Sequence, residues 1–320
     1  MRAIAIREAG GPEVLTLVEL PKPEPADGDL LVRVAAVGVN YIDTYHRSGV
    51  YPVPLPFVPG MEGAGVVEAV GSQVTDFAVG DRVAWGFTAG SYAEYAVVPA
   101  AKAVRVPDGV SLEDAAAVML QGMTAHYLVT STWDLQAGQT CLVHAAAGGV
   151  GLLLVQLAKA KGATVIATAS TQAKRRLAHD AGADTAIGYE EFSTMVRALT
   201  DDRGVDVVYD GVGKDTFDGS LASLRPRGMM VLFGGSSGQV PPLDLQRLNT
   251  AGSLFITRPS LGAYVATTEE LRWRAGDLFT ALAKGILVVR THQKYSLEAA
   301  AQAHADLEGR GTTGKLLLVP

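Results

Sequence analysis

Ala146, Gly148 and Gly151 stand at the first, third and sixth places of a glycine-turn pattern, inside the stretch QTCLVHAAAGGVGLLLVQLAKAKGATVIATAS from Gln139 to Ser170. In such a turn the first place lets a strand bend sharply, the second lets backbone amides approach a diphosphate, and the third lets a helix pack on the sheet. Alanine in the first place weakens the pattern. The context restores it, because an apolar strand precedes the turn and a helix from Gly149 to Lys161 follows, offering amides and a positive dipole end to phosphate. About twenty residues on, where sites for NAD carry Asp or Glu, this chain has Ser170, and Lys174, Arg175 and Arg176 come next. The missing carboxylate and the added charged donors favour a dinucleotide phosphorylated on its adenosine ribose, NADPH.

Other chemistries find little material. Cys141 is the only cysteine and lies in an apolar run, so disulfides and cysteine-based metal clusters within one chain are excluded. The six histidines, at 46, 126, 144, 179, 292 and 304, lack paired metal spacing. Gly309 to Lys315 has P-loop spacing, but Leu316 replaces the hydroxyl that would bind magnesium, and a hairpin turn is expected. The GGSSG run at 234–238 lacks the spacing and following helix of a nucleophile elbow. A net charge of −6 argues against nucleic acid or an anionic membrane as the main partner. With 48% hydrophobic residues, no signal core and no apolar run of bilayer length, a soluble cytoplasmic protein is expected.

These residues need elements to position them. Arg2 to Ile6, Leu15 to Glu19, Leu30 to Val37, Gly65 to Val70, Arg82 to Trp85 and Tyr92 to Val98 read as short strands between turn formers, which suits a barrel-like module. Helical periodicity follows at Leu112 to Val118, capped by Ser111, and from Thr124 to about Val129. Beyond the glycine turn, helices at 172–181, 192–199 and 217–224 alternate with strands at 185–187, 205–210 and 229–234, the doubly wound grammar. Helices at 268–284 and 297–308 and a last apolar strand, LLLV, are expected to return to the first module.

The chain also carries, in order, GGPEVL, NYIDTYHRSGVYP at 40–52, VGDRV at 79–83, HAAAGGVG at 144–151, VVYDGVG at 207–213, TRPSL at 257–261 and a terminal R-x-T-x-G-K-LLL. Together these resemble the zinc-independent quinone oxidoreductases of the medium-chain dehydrogenase/reductase superfamily, the group that includes ζ-crystallin. The resemblance implies an α/β architecture: a β-rich GroES-like catalytic domain at 1–122 and 263–320, around a Rossmann NADPH-binding domain at 123–262. Where zinc members of the superfamily carry a ligand cysteine, this chain has Asn40 after Gly38-Val39; where they carry a ligand histidine, it has Met61 between Gly60 and Glu62. No metal is therefore expected.

By the same resemblance, Asn40, Tyr41, Asp43 and Tyr45 lie near the nicotinamide, with Tyr51 at the mouth of the cleft and Ile42 and Thr44 among the cofactor contacts. Gly148, Gly149 and Val150 face the diphosphate, and Ser170, Lys174 and Tyr189 surround the ribose phosphate. Gly211, Phe233, Gly235, Ser236 and Ser237 line the cleft, and Arg310 reaches back to the cofactor. Without a Lewis acid, quinones and conjugated enones are easier acceptors than ordinary ketones, because conjugation spreads the charge left after hydride arrives. Tyr45 or Tyr51 either donates a proton to the reduced oxygen or only excludes water, and Asp43 is a structural anchor for its turn rather than a base. The resemblance implies quinone reduction, with alkenal or enone reduction as the alternative and a non-catalytic NADPH-binding role as the reading from another class. It also implies a homodimer paired through the apolar segment Leu254 to Thr257.

Overall fold

The computed structural model describes residues 1–320 and divides into two units, Met1–Met123 with Tyr264–Pro320, and Thr124–Ala263. In the first unit β1 (Arg2–Ala5) and β2 (Thr16–Glu19) pair antiparallel. The spine of the larger sheet is β3 (Asp29–Val39), an eleven-residue strand with eight positions buried. Helix α1 (Tyr41–Ser48) follows it directly. Next come β4 (Glu62–Val70), β5 (Arg82–Gly86), β6 (Tyr95–Pro99), β7 (Ala103–Arg105) and α2 (Leu112–Val118).

The second unit begins within α3 (Gln121–Tyr127), which runs into a π turn at Leu128–Thr132. Strands β8 (Thr140–Val143), β9 (Thr164–Thr168) and β10 (Thr185–Ile187) alternate with α4 (Gly149–Ala160), α5 (Gln172–Asp180) and α6 (Phe192–Leu199). Then come β11 (Val205–Asp210), α7 (Phe217–Ser223), β12 (Leu224–Leu232), α8 (Gln246–Thr250) and β13 (Phe255–Thr257). The six strands are parallel in the order β10-β9-β8-β11-β12-β13. The order reverses between β8 and β11, and ligands of open α/β sheets bind beyond the carboxyl ends of strands at such a point.

After α9 (Leu261–Tyr264) and α10 (Thr268–Ala283), the chain adds β14 (Thr291–Ser296), α11 (Ala300–Glu308) and β15 (Lys315–Val319) to the first unit. Strand β15 runs antiparallel to the far end of β3, pairing Leu316 with Val39, and β6 takes the other half, pairing Leu30 with Val98. The terminal strand therefore sits beside the residues that lead into α1. Ile4, Val32, Val37, Trp85, Leu316 and Leu318 share one core, and Leu142, Ile166, Val208, Phe217 and Met230 share the other. Each such side chain contributes roughly 1.5–3 kcal/mol when fully buried.

Three expectations are corrected. The segment after Asn40 is a helix and not a turn, because Asn40 and Asp43 form a reciprocal capping box and Gly49 closes the last turn in the left-handed region, φ 78°. Gly309 to Gly314 is not a hairpin: it joins α11 to β15, whose neighbours are β14, parallel, and β3. Strand β12 ends at Leu232, so Phe233 and Gly234 fall in the loop beyond it. Strand β14 is unexpected, because its THQKYS pattern is largely exposed and carries no apolar run.

Candidate active site

In the second unit, β8 ends at Val143 and the backbone turns through Ala145, held at φ 50°. The Ala146 amide donates to the Thr168 carbonyl at 3.0 Å, tying the turn to the end of β9. A Cβ on Gly151 would lie 2.3 Å from the Ala145 carbonyl oxygen and 2.7 Å from Ala146 Cα, so this place needs glycine for the helix to sit against the turn. Helix α4 starts from Gly148 with no side-chain cap, whereas Ser111, Thr171 and Thr267 cap α2, α5 and α10. Uncapped first-turn amides and the dipole end form a cradle for an anion. Gly148, Gly149 and Val150 are half-buried at its rim.

Ser170 is exposed two residues past β9, and Lys174 is half-buried on α5, where burial lowers the pKa of its ammonium. The Tyr189 hydroxyl accepts the Ala145 amide at 3.0 Å and its ring stacks on His144. Below them lies a buried relay whose donors can be assigned. Asp210 Oδ2 only accepts, so the Ser220 hydroxyl donates to it at 2.9 Å. Ser220 Oγ therefore takes a proton from His144 Nε2 at 2.9 Å, and His144 Nδ1 accepts from Thr168 Oγ1 at 2.7 Å. Burial pushes the ring down to about 4, so His144 is neutral. Asp210 Oδ1 also accepts the Val212 and Gly213 amides, which ties the ends of β8, β9 and β11 together.

The loop after β12 folds onto the loop after β11. The Phe233 amide donates to the Asp210 carbonyl, the Ser236 amide to Gly211, and the Ser237 hydroxyl to Val212 while accepting the Asp215 amide. A Cβ on Gly211 would lie 2.9 Å from the Phe233 ring. Gly211, Phe233, Gly235, Ser236 and Ser237 are thus brought together, half-buried, beyond the carboxyl ends of two central strands.

In the first unit the pairing of β15 with β3 sets Lys315 beside Asn40. Asn40 Nδ2 donates to Glu62 Oε2 at 2.8 Å and to the Gly38 carbonyl at 3.1 Å, and its Oδ1 accepts from Lys315 Nζ at 3.0 Å. Lysine only donates and carboxylate only accepts, which fixes the orientation of the amide. Lys315 also pairs with Glu62, whose Oε1 accepts the Leu120 amide at 2.5 Å. Burial lowers the Lys315 ammonium and Glu62 opposes that shift. A Cβ on Gly38 would fall 2.6 Å from Lys315 Nζ, so glycine leaves room for the pair. Both amide hydrogens of Asn40 are used inside the protein, on the Gly38 carbonyl and on Glu62, so its side chain braces the entry to α1.

Asp43 Oδ2 accepts the Asn40 amide at 2.9 Å and the Tyr92 hydroxyl at 3.1 Å, while Oδ1 is buried without a partner. Burial pushes Asp43 up to about 7, against the hydrogen bonds and Lys315. With its proton directed to Asp43, Tyr92 accepts from His304 Nε2 at 2.9 Å, and His304 Nδ1 accepts from Arg47 at 3.2 Å. Arg47 then grips Glu308 through two hydrogen bonds, at 3.0 and 2.9 Å. Above this network α1 presents aromatic rings. Tyr41 and Tyr45 have centroids 6.4 Å apart, and Tyr45 meets Tyr51 edge-on at 5.2 Å. His46 lies between Tyr51 and Phe57. Tyr41 donates to the Leu307 carbonyl, Thr44 to the Tyr41 carbonyl, and Ile42 is half-buried. Arg310 is exposed after α11, at φ 57°, and its charge acts on Tyr41.

The residues do not fit a zinc ion. No three His, Cys, Asp or Glu side chains converge as ligands, and a buried ammonium stands 3.0 Å from Asn40 Oδ1, where a cation would be repelled. Sequence reasoning missed Glu62, Lys315, Tyr92, His304 and the His144 relay. The available signal was a charged or polar residue opening or closing an otherwise apolar strand, as Glu62, Lys315, His144 and Asp210 do.

Two families match the chain: "Alcohol dehydrogenase GroES-like domain" over residues 26–108 and "Zinc-binding dehydrogenase" over residues 149–275. A quinone oxidoreductase of Pseudomonas aeruginosa is 48% identical over 315 residues, covering 97% of each chain. A 2-haloacrylate reductase of a Burkholderia species is 42% identical, covering 99% of this chain and 98% of that one. Among solved structures, Escherichia coli quinone oxidoreductase complexed with NADPH superposes over all of both chains with a TM-score of 0.98 at 44% identity.

Proposed function

The chain belongs to the quinone oxidoreductase family of the medium-chain dehydrogenase/reductase superfamily, and on that premise we propose that it reduces quinones with NADPH. The observation that carries the cofactor reading is the cradle at the start of α4, which only glycine at 151 permits and which no side chain caps. Bound there, NADPH supplies hydride. Gly148, Gly149 and Val150 hold its diphosphate, and Ser170, Lys174 and Tyr189 hold the ribose phosphate. Gly211 and the Phe233 to Ser237 loop line the nicotinamide side.

The reaction runs without zinc, since the donor set at Asn40 and Met61 suits none. Asn40 holds the entry to α1 in place through Glu62 and Lys315. Tyr45 and Tyr51 exclude water around the acceptor, and either hydroxyl can deliver the one proton that a quinone needs besides hydride to become a hydroquinone. The lone, buried Cys141 suits a reducing, cytoplasmic setting, and no helix is long and apolar enough to cross a membrane. Strand β13 closes one edge of its sheet with Phe255 54% exposed, and a homodimer forms by pairing that edge with a second copy.

Steady-state NADPH oxidation with 1,4-naphthoquinone and with 2-alkenals tests the assignment. Turnover of the quinone supports it. Strong turnover of the alkenal with none of the quinone replaces it by enone reduction, the second reading, which the 2-haloacrylate reductase relative favours.

A further inference from the structure

The segment from Asn40 to Gly60 bears only two formally charged side chains, Asp43 and Arg47. Both are withdrawn from the surface, Asp43 at 0% and Arg47 at 3% exposure. Arg47 has four of its five N–H donors assigned, to the Gly10 carbonyl, His304 and both oxygens of Glu308. The nearest other buried cation, Lys315, is held by Glu62 and Asn40. Beyond Ser48 and Gly49, what the segment shows to solvent is apolar: Val50, Tyr51 and Leu55 are 51%, 41% and 44% exposed, among three prolines at 52, 54 and 56. Tyr45 and Tyr51 meet edge to face at the base of this strip. Arg310, which is exposed, acts on Tyr41, at the opposite end of the aromatic row.

We propose that this wall selects uncharged, planar, conjugated acceptors and turns away carboxylates, with Tyr51, Leu55 and Val50 as the residues that set the preference. The inference rests on the reading that α1 and the loop after it take the acceptor. A carboxylate brought against the strip loses water and finds no cation among the segment's own exposed side chains, which is unfavourable unless it is paired. A flat neutral ring loses little solvation and gains edge and face contacts with two tyrosines. A carboxylate such as the 2-haloacrylate in one relative's name is then a poor acceptor for this chain.

Inhibition by unreactive isosteres tests this without the complication that esters and acids differ in intrinsic reactivity. 2-Naphthamide and 2-naphthoate compete against 1,4-naphthoquinone, with NADPH saturating. The naphthoate inhibition constant is expected to exceed that of the amide by about tenfold or more, and Leu55→Arg or Val50→Arg should narrow the ratio by about tenfold. Equal inhibition by the two in the unmodified protein overturns the inference while leaving quinone reduction standing. A ratio unmoved in both arginine variants overturns the assignment of the wall. Absence of any NADPH oxidation by the quinone overturns the functional reading beneath it.

Discussion

Lys315 and Glu62 form an ion pair that neither shares with solvent, at 2% and 0% exposure. They come from strands 253 residues apart in sequence and meet only because β15 lies along the end of β3. Removing one partner of a buried pair leaves an unpaired charge. Lys315→Met should therefore cost about 3–5 kcal/mol in denaturant unfolding, and adding Glu62→Leu should recover most of it. Equal destabilisation in the single and double variants would contradict this role.

The pair also shows how far the sequence could be read. Helix α2 has its cap, Ser111, three residues before Asp114, and the parallel strands are short apolar runs with turn formers between, so local chemistry announces both. Nothing local announces that Lys315 is buried, because its partners are set by tertiary pairing. The glycine turn at 146–151 was legible from its spacing together with the apolar strand before it and the helix after it. Helix α1 was not, since its capping box depends on the extended backbone of Asn40, and β14 was hidden by its exposed polar face. Asn40 stands where its motif puts it, yet the bonds that occupy its amide come from β4 and β15.

Cofactor choice follows from α5. Lys174→Ala should raise the NADPH dissociation constant by about tenfold to a hundredfold, the loss of a charged hydrogen bond, with little effect on NADH. Calorimetry with both nucleotides checks it, and equal losses would remove Lys174 from the phosphate site.

Gly151→Ala sets a methyl against the Ala145 carbonyl and Ala146 Cα. The turn or the helix must shift, so NADPH binding should weaken by about tenfold or more, since the α4 amides lose their aim. Unchanged binding in the same calorimetric assay would show that the diphosphate sits elsewhere.

Acid stability reports the buried networks. His144 and His304 are pushed down to about 4 and about 3, so the unfolded chain takes up their protons first and stability falls as pH drops below 6.5. Asp43, pushed up to about 7, does the reverse: it favours the fold at low pH, and that contribution is lost as pH rises from 4 toward 7. Asp43→Asn should thus steepen the loss of stability between pH 6 and 5 by on the order of 1 kcal/mol per unit. Urea unfolding at each pH measures the slope, and a shallower slope in the variant would reverse the assignment.

Hydride passing from NADPH to a quinone in a site with no metal is the central step. The most direct measurement is NADPH oxidation by 1,4-naphthoquinone, using protein stripped of metal with a chelator and verified by elemental analysis. Full turnover by the stripped protein, faster with NADPH than with NADH, is the predicted result. Activity that vanishes on stripping and returns only with added zinc would contradict it.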